Sequence, residues 1–106
     1  MFMNLFGRPK FGEGLEKWQS DKNSFLIDVR TVDEYRQGHI QGSINIPLQN
    51  IQSVKKKIPD LNKTIYVHCL SGSRSAQAVS MLKSMGYTDV TNIGGISSYR
   101  GKVVRG

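Results

Sequence analysis

Apolar positions along this chain fall into short continuous runs that alternate with stretches of helical spacing. Phe25-Leu26-Ile27-Asp28-Val29 is apolar except for Asp28, as suits a buried parallel strand over 25–29. A second β-branched and aromatic run gives a strand over 65–68. Two shorter runs predict strands over 44–46, stopped by Pro47, and over 90–93. Between them the spacing changes. Ala76, Val79, Met81, Leu82 and Met85 predict a helix over 73–85 with a broad apolar face, closed by Gly86. Leu48, Ile51 and Val54, with Ile58 four residues on, predict a helix over 48–57. Leu15 and Trp18 share one face of a short helix over 14–20. Thr31 caps a helix reaching Arg36, with Glu34 at its third position completing a capping box.

Turn residues fill the gaps. Segments 21–24, 38–43 and 59–63 break regular structure, Gly94-Gly95 reads as a turn, and 96–99 starts a short final helix. Strands alternating with helices imply an α/β fold: an open parallel β-sheet flanked by helices on both faces. Ligands of such sheets bind beyond the carboxyl ends of the strands. Residues 1–106 form one domain, with an amino-terminal tail over 1–10 and a loose basic segment over 100–106.

Composition narrows the function. At 106 residues and 38% hydrophobic, the chain has enough apolar material for a single core. One cysteine excludes an internal disulfide framework, and with only His39 and His68 beside it no structural metal site is expected. A lone thiol fits a reducing compartment. Met1-Phe2-Met3-Asn4-Leu5-Phe6 is too short for a signal-peptide core or a membrane span, so the protein is read as cytoplasmic, without a membrane partner. Net charge is +7, which favours small anions as ligands. Lys55-Lys56-Lys57 reads as a solvated helix face, and no aromatic platform is interleaved with it, so nucleic acid is not expected as a partner.

That single cysteine, Cys69, stands where a strand ends and a helix begins. Backbone N–H groups and the positive end of a helix dipole converge there, which favours thiolate and holds anions. Four residues separate Cys69 from Arg74: Leu70, Ser71, Gly72 and Ser73. Gly72 allows the positive φ that a cradle of inward N–H groups requires. Ser71 and Ser73 leave room at the mouth. Arg74 can pin the loop or hold an anion from outside. A persulfide adds one sulfur to Sγ and needs a narrow cradle, whereas a phosphatase loop places five residues between Cys and Arg. The four-residue gap favours sulfur. A buried, inert cysteine is the plain alternative, weakened by Gly72, Arg74 and the strand–loop–helix setting. His68, one residue before Cys69, points to the opposite face of its strand and is rejected as a general base. His39, in a loop, is read as structural.

Three ordered blocks then carry a resemblance. They are Asp28-Val29-Arg30 with Glu34-Tyr35 and residues 38–47; His68-Cys69-Leu70-Ser71-Gly72-Ser73-Arg74-Ser75; and Leu82 with Met85-Gly86-Tyr87, followed by Val90, Asn92 and Gly94-Gly95-Ile96. Together they cover nearly everything from 25 to 99. The chain resembles the single-domain rhodanese-like sulfurtransferases, and among them the small phage-shock type. The resemblance implies that Cys69 takes sulfane sulfur from a small anionic donor such as thiosulfate. The resulting persulfide passes it to cyanide or to a thiol or protein acceptor. Residues 70–74 would bind the substrate through backbone N–H groups, and no cofactor is implied. Asp28 and Arg30 would support the site from behind, as an ion pair or a brace for loop N–H groups. Some members with a strong thiosulfate preference carry a basic residue directly after the cysteine, where this chain has Leu70. A phosphatase or arsenate reductase on the same scaffold, and a non-catalytic binding module, are the competing readings. A monomer is expected for so short a chain.

Overall fold

The computed structural model describes residues 10–106, so the expected tail lies outside the described residues except for Lys10. That residue is the N-cap of the first helix, α1, Phe11–Ser20. The helix starts three residues before the expected one because Phe11, with Leu15, supplies its buried apolar stripe. The order continues β1 (Phe25–Asp28), α2 (Val32–Gln37), β2 (Ile44–Asn45), a 3₁₀ segment (Leu48–Ser53), α3 (Val54–Lys57), β3 (Thr64–Cys69), α4 (Ser73–Ser84), β4 (Asp89–Gly95) and a 3₁₀ turn (Ile96–Ser98).

The four strands form one sheet in the order β2-β1-β3-β4, with every pairing parallel. Side-chain alternation divides β3 between two cores. Ile65, Val67 and Cys69 join Ile27, Val54, Ala78 and Leu82 on one face. Tyr66 turns to the other face, where Phe11 and Leu15 of α1 meet Leu26, Ile40, Ile93 and Ile96. Both faces are therefore covered, as the apolar runs demand, since each strand must bury both sides. Each fully buried aliphatic side chain stabilises the fold by about 1.5–3 kcal/mol.

Four expectations need correction. The helix expected over 48–57 is a 3₁₀ segment followed by one α-turn, because Asn50 leaves helical geometry at φ −108°, ψ 18°. Helix α4 buries Ser75, Ala78 and Leu82, while Ala76 and Met81 face solvent. The two glycines expected to turn, Gly94 and Gly95, instead complete β4. The ladder passes from Val67↔Asn92 to His68↔Gly94, so Ile93 is an extra residue in a bulge. Finally, residues 100–106 are not loose. Val104 forms an antiparallel bridge with His39, with N–H···O distances of 2.8 and 2.9 Å, and the Gly106 N–H reaches the Arg36 carbonyl at 2.9 Å.

Candidate active site

Three elements bring the site together at the carboxyl edge of the sheet. Strand β3 ends on Cys69, whose residue is fully buried. The loop then rises and returns to α4 through Gly72, at φ +108°. This is a left-handed conformation that a side chain would strain. As a result the Cys69 Sγ accepts the Gly72 N–H at 3.0 Å and the Ser75 N–H at 3.4 Å, and lies 3.4 Å from Ser75 Oγ. Burial pushes the Cys69 thiol up. The Ser75 hydroxyl and the N–H groups of Ser75, Gly72 and Ser71 outweigh that, and the net displacement is downward. A thiolate stabilised by fixed dipoles is a nucleophile that needs no adjacent base.

The rim of the loop is set by packing. Leu70 projects outward and is 43% exposed, while its carbonyl accepts the Ser97 N–H at 3.0 Å. Gly95 lies directly beneath, where a Cβ would overlap the Leu70 carbonyl and sit 2.6 Å from Ser71 Cα. Ser71 and Ser73 are exposed at the mouth.

Arg74 does not reach into the cradle. Its guanidinium forms a bidentate pair with Glu34 of α2, Nη1 to Oε1 at 2.7 Å and Nη2 to Oε2 at 3.0 Å. That pair holds Glu34 at about 2 and raises Arg74 further. The same carboxylate also closes the α2 capping box, with Oε1 accepting the Thr31 N–H at 2.9 Å. Of the two roles read from the sequence, pinning the loop is thus the one the side chain takes here.

Asp28 and Arg30 are buried behind the loop. Arg30 Nε donates to both carboxylate oxygens of Asp28 at 3.0 and 3.1 Å, and its Nη2 bridges Asp28 Oδ2 at 2.7 Å and the Gly38 carbonyl at 2.8 Å. Neither touches Cys69. His68 lies on the face opposite Cys69, edge-on to Phe11 with ring centroids 5.1 Å apart. Its Nδ1 donates to the Cys69 carbonyl at 3.1 Å, and Nε2 faces Asp28 Oδ2 at 3.6 Å without a hydrogen bond. Burial pushes His68 down, which keeps the ring neutral. His39 stacks on Tyr35 at 3.7 Å and donates Nδ1 to the Tyr35 carbonyl.

Sequence reasoning passed over three residues that the structure brings to the site: Glu34, Ser75 and Asn92. Glu34 was legible as a helix cap and as part of the first block, but its pairing with Arg74 spans forty positions. Ser75 and Asn92 stood inside recognisable blocks, but nothing in their spacing shows that they meet.

Comparison with known proteins fits this geometry. The family model described as the Rhodanese-like domain matches residues 12–102. The chain belongs to that family. Among its relatives, this rhodanese-like chain is 43% identical over 81 residues to thiosulfate sulfurtransferase PspE of Escherichia coli strain K12, covering 76% of this chain and 78% of that one. It is 38% identical over 102 residues to the uncharacterized protein YqhL of Bacillus subtilis strain 168, covering 95% and 75%. A solved rhodanese with anions from E. coli superposes with a TM-score of 0.73 at 42% identity, covering 78% of this rhodanese-like chain and 99% of that one. The parallel α/β architecture matches the fold of that structure.

Proposed function

We propose that this protein is a sulfurtransferase of the thiosulfate:cyanide type, with Cys69 as its covalent sulfur carrier. The observation that carries the reading is the ring of donors on Cys69 Sγ, supplied by Gly72 and Ser75 within a loop of four residues between Cys69 and Arg74. The name of the E. coli relative, a thiosulfate sulfurtransferase, supports the same chemistry. In the first half-reaction the thiolate attacks the outer sulfur of thiosulfate. The Sγ–S bond forms, the S–S bond of thiosulfate breaks, and sulfite leaves with the electron pair. In the second, cyanide or a thiolate takes the outer sulfur and Cys69 leaves as thiolate. The N–H groups of the loop stabilise negative charge on sulfur throughout, and no proton transfer is required.

A free thiol supports a reducing compartment such as the cytoplasm. Leu70 and the committed Arg74 leave the loop without a free guanidinium or ammonium. Anion recognition then rests on backbone N–H groups and the net positive surface, which supports modest turnover with thiosulfate and a distinct physiological donor.

Intact mass after incubation with thiosulfate tests the central claim. Wild type gains the mass of one sulfur, lost again on adding cyanide, and Cys69→Ser gains none. Absence of the adduct on wild type, or its presence on the variant, defeats the reading.

A further inference from the structure

Beneath the thiol, Ser75 carries one hydroxyl proton with three acceptors in reach. They are Cys69 Sγ at 3.4 Å, the Gly72 carbonyl at 3.0 Å and Asn92 Oδ1 at 2.7 Å. The amide of Asn92 has only one consistent orientation. Its Oδ1 accepts the Gly94 N–H at 2.8 Å, a donor that cannot reverse, so Nδ2 donates to the Gly72 carbonyl at 3.2 Å. That carbonyl also receives the Ala76 N–H at 3.1 Å, so its two lone pairs are taken. The bulge at Ile93 lets the Asn92 side chain fold back onto the Gly94 N–H while still facing α4.

We propose that Asn92 is a positioning residue for sulfur transfer, giving the Ser75 hydroxyl a second resting place when Cys69 Sγ is not charged. The inference rests on the sulfur-transfer reading above. In the free enzyme the Ser75 proton points at the thiolate. Once the Sγ–S bond has formed and sulfite has left with its electron pair, the charge sits on the outer sulfur. Sγ is then a poor acceptor, and the proton turns to Asn92 Oδ1. Asn92 thereby favours the loaded enzyme over the free thiolate. For the same reason it favours the protonated thiol, in which S–H donates to Ser75 Oγ and Ser75 donates to Asn92.

The charged groups around this network are paired with one another or turned away from it. From α4 and α2 comes the Arg74–Glu34 pair, with Glu34 at about 2 and Arg74 raised. From β1 and the residues after it comes the Asp28–Arg30 pair. His68 on β3 turns to the other face and is held neutral. Where β4 meets α4 it presents Asn92, an amide, and its one acid, Asp89, bonds Thr64 at the far end of the sheet.

Two measurements on the full chain test this: the pH midpoint of Cys69 alkylation by iodoacetamide, and the persulfide fraction by intact mass at fixed thiosulfate-to-sulfite ratios, referred to the thiolate. Asn92→Leu lowers the midpoint by about half a unit and weakens loading about threefold; the Gly72 carbonyl, relieved of Asn92, recovers part of a neutral hydrogen bond. Ser75→Ala moves the midpoint up. Asn92→Asp keeps the acceptor for Gly94 and Ser75, so it raises the midpoint and retains loading. A purely structural Asn92 predicts otherwise: a loosened loop loses N–H donors, so Asn92→Leu raises the midpoint and both variants lose loading. That pattern, or unchanged values in Asn92→Leu, overturns the proposal. The alkylation midpoint needs no sulfur donor. It therefore judges Asn92 even where wild type takes no sulfur, the result that would sink the sulfur-transfer reading instead.

Discussion

The Cys69 thiol is drawn towards thiolate by neighbours that are individually unremarkable in sequence: a serine hydroxyl, a serine N–H and a glycine N–H. Ser75→Ala removes the one side-chain donor on the thiolate among the described residues. Alkylation at neutral pH is expected to slow about threefold to tenfold, the weight of one hydrogen bond to a charged group at partial geometry, with its pH midpoint moved upward. Glu34 gives a second prediction with a definite sign. Its folded-state value of about 2 lies below the ordinary 4.5, so the ion pair contributes fully above that range and is lost as pH falls towards about 2. Both side chains are about a third exposed, at 32% and 30%, so the contribution is about 0.5–1 kcal/mol. Thermal melts of wild type and Glu34→Gln should differ at pH 6, with the gap narrowing below pH 4.5 and closing only towards pH 2. An unchanged gap would show that the pair is not the source of the difference. At this scale the setting of Cys69 was legible, because strand, small-residue loop and helix are contiguous. The partners on α2 and β4 were not, since they are brought in by tertiary packing alone.

Among the elements, the strands read from continuous apolar runs were found close to their expected limits, because burial on both faces leaves few residue types that fit. The capping box of α2 was equally legible, with Thr31 Oγ1 accepting the Glu34 N–H at 3.2 Å. Helix ends and turns were less so. Gly94-Gly95 has the local signature of a turn, yet β3 supplies partners that extend the strand, and the bulge absorbs the irregularity. The reason for glycine at 95 is close approach to the active-site loop. Gly95→Ala must displace the Leu70 carbonyl, which the Ser97 N–H holds from the other side. The expected cost is about 1–3 kcal/mol of stability from overpacking, with persulfide formation reduced more than tenfold as the N–H ring loses its geometry. Denaturant unfolding with the persulfide assay separates the two effects, and full activity in this variant would show that the loop tolerates the shift.

On the scale of the whole molecule, the parallel α/β architecture was open to sequence reasoning because alternating runs leave few other packings. The carboxyl-terminal segment was not. Its basic composition suggests solvation, but composition says nothing about backbone pairing, and Val104 pairs with His39. Removal of residues 102–106 deletes both bonds of that bridge and the Gly106 bond to Arg36. Stability should fall by about 2 kcal/mol, at roughly 0.5–1.5 kcal/mol per bond less what water restores. Chemical denaturation of the truncated chain checks it, and an unchanged midpoint would make the bridge incidental. The bridge also has a mechanical meaning. His39 stacks on Tyr35, Arg36 receives Gly106, and the same short helix carries the Glu34 that pins the loop. A pulling force applied at Gly106 is therefore felt first by the helix bracing the Cys69 loop, before the sheet bears any load. Stretched from that end, the molecule would lose the geometry around Cys69 while its core still held.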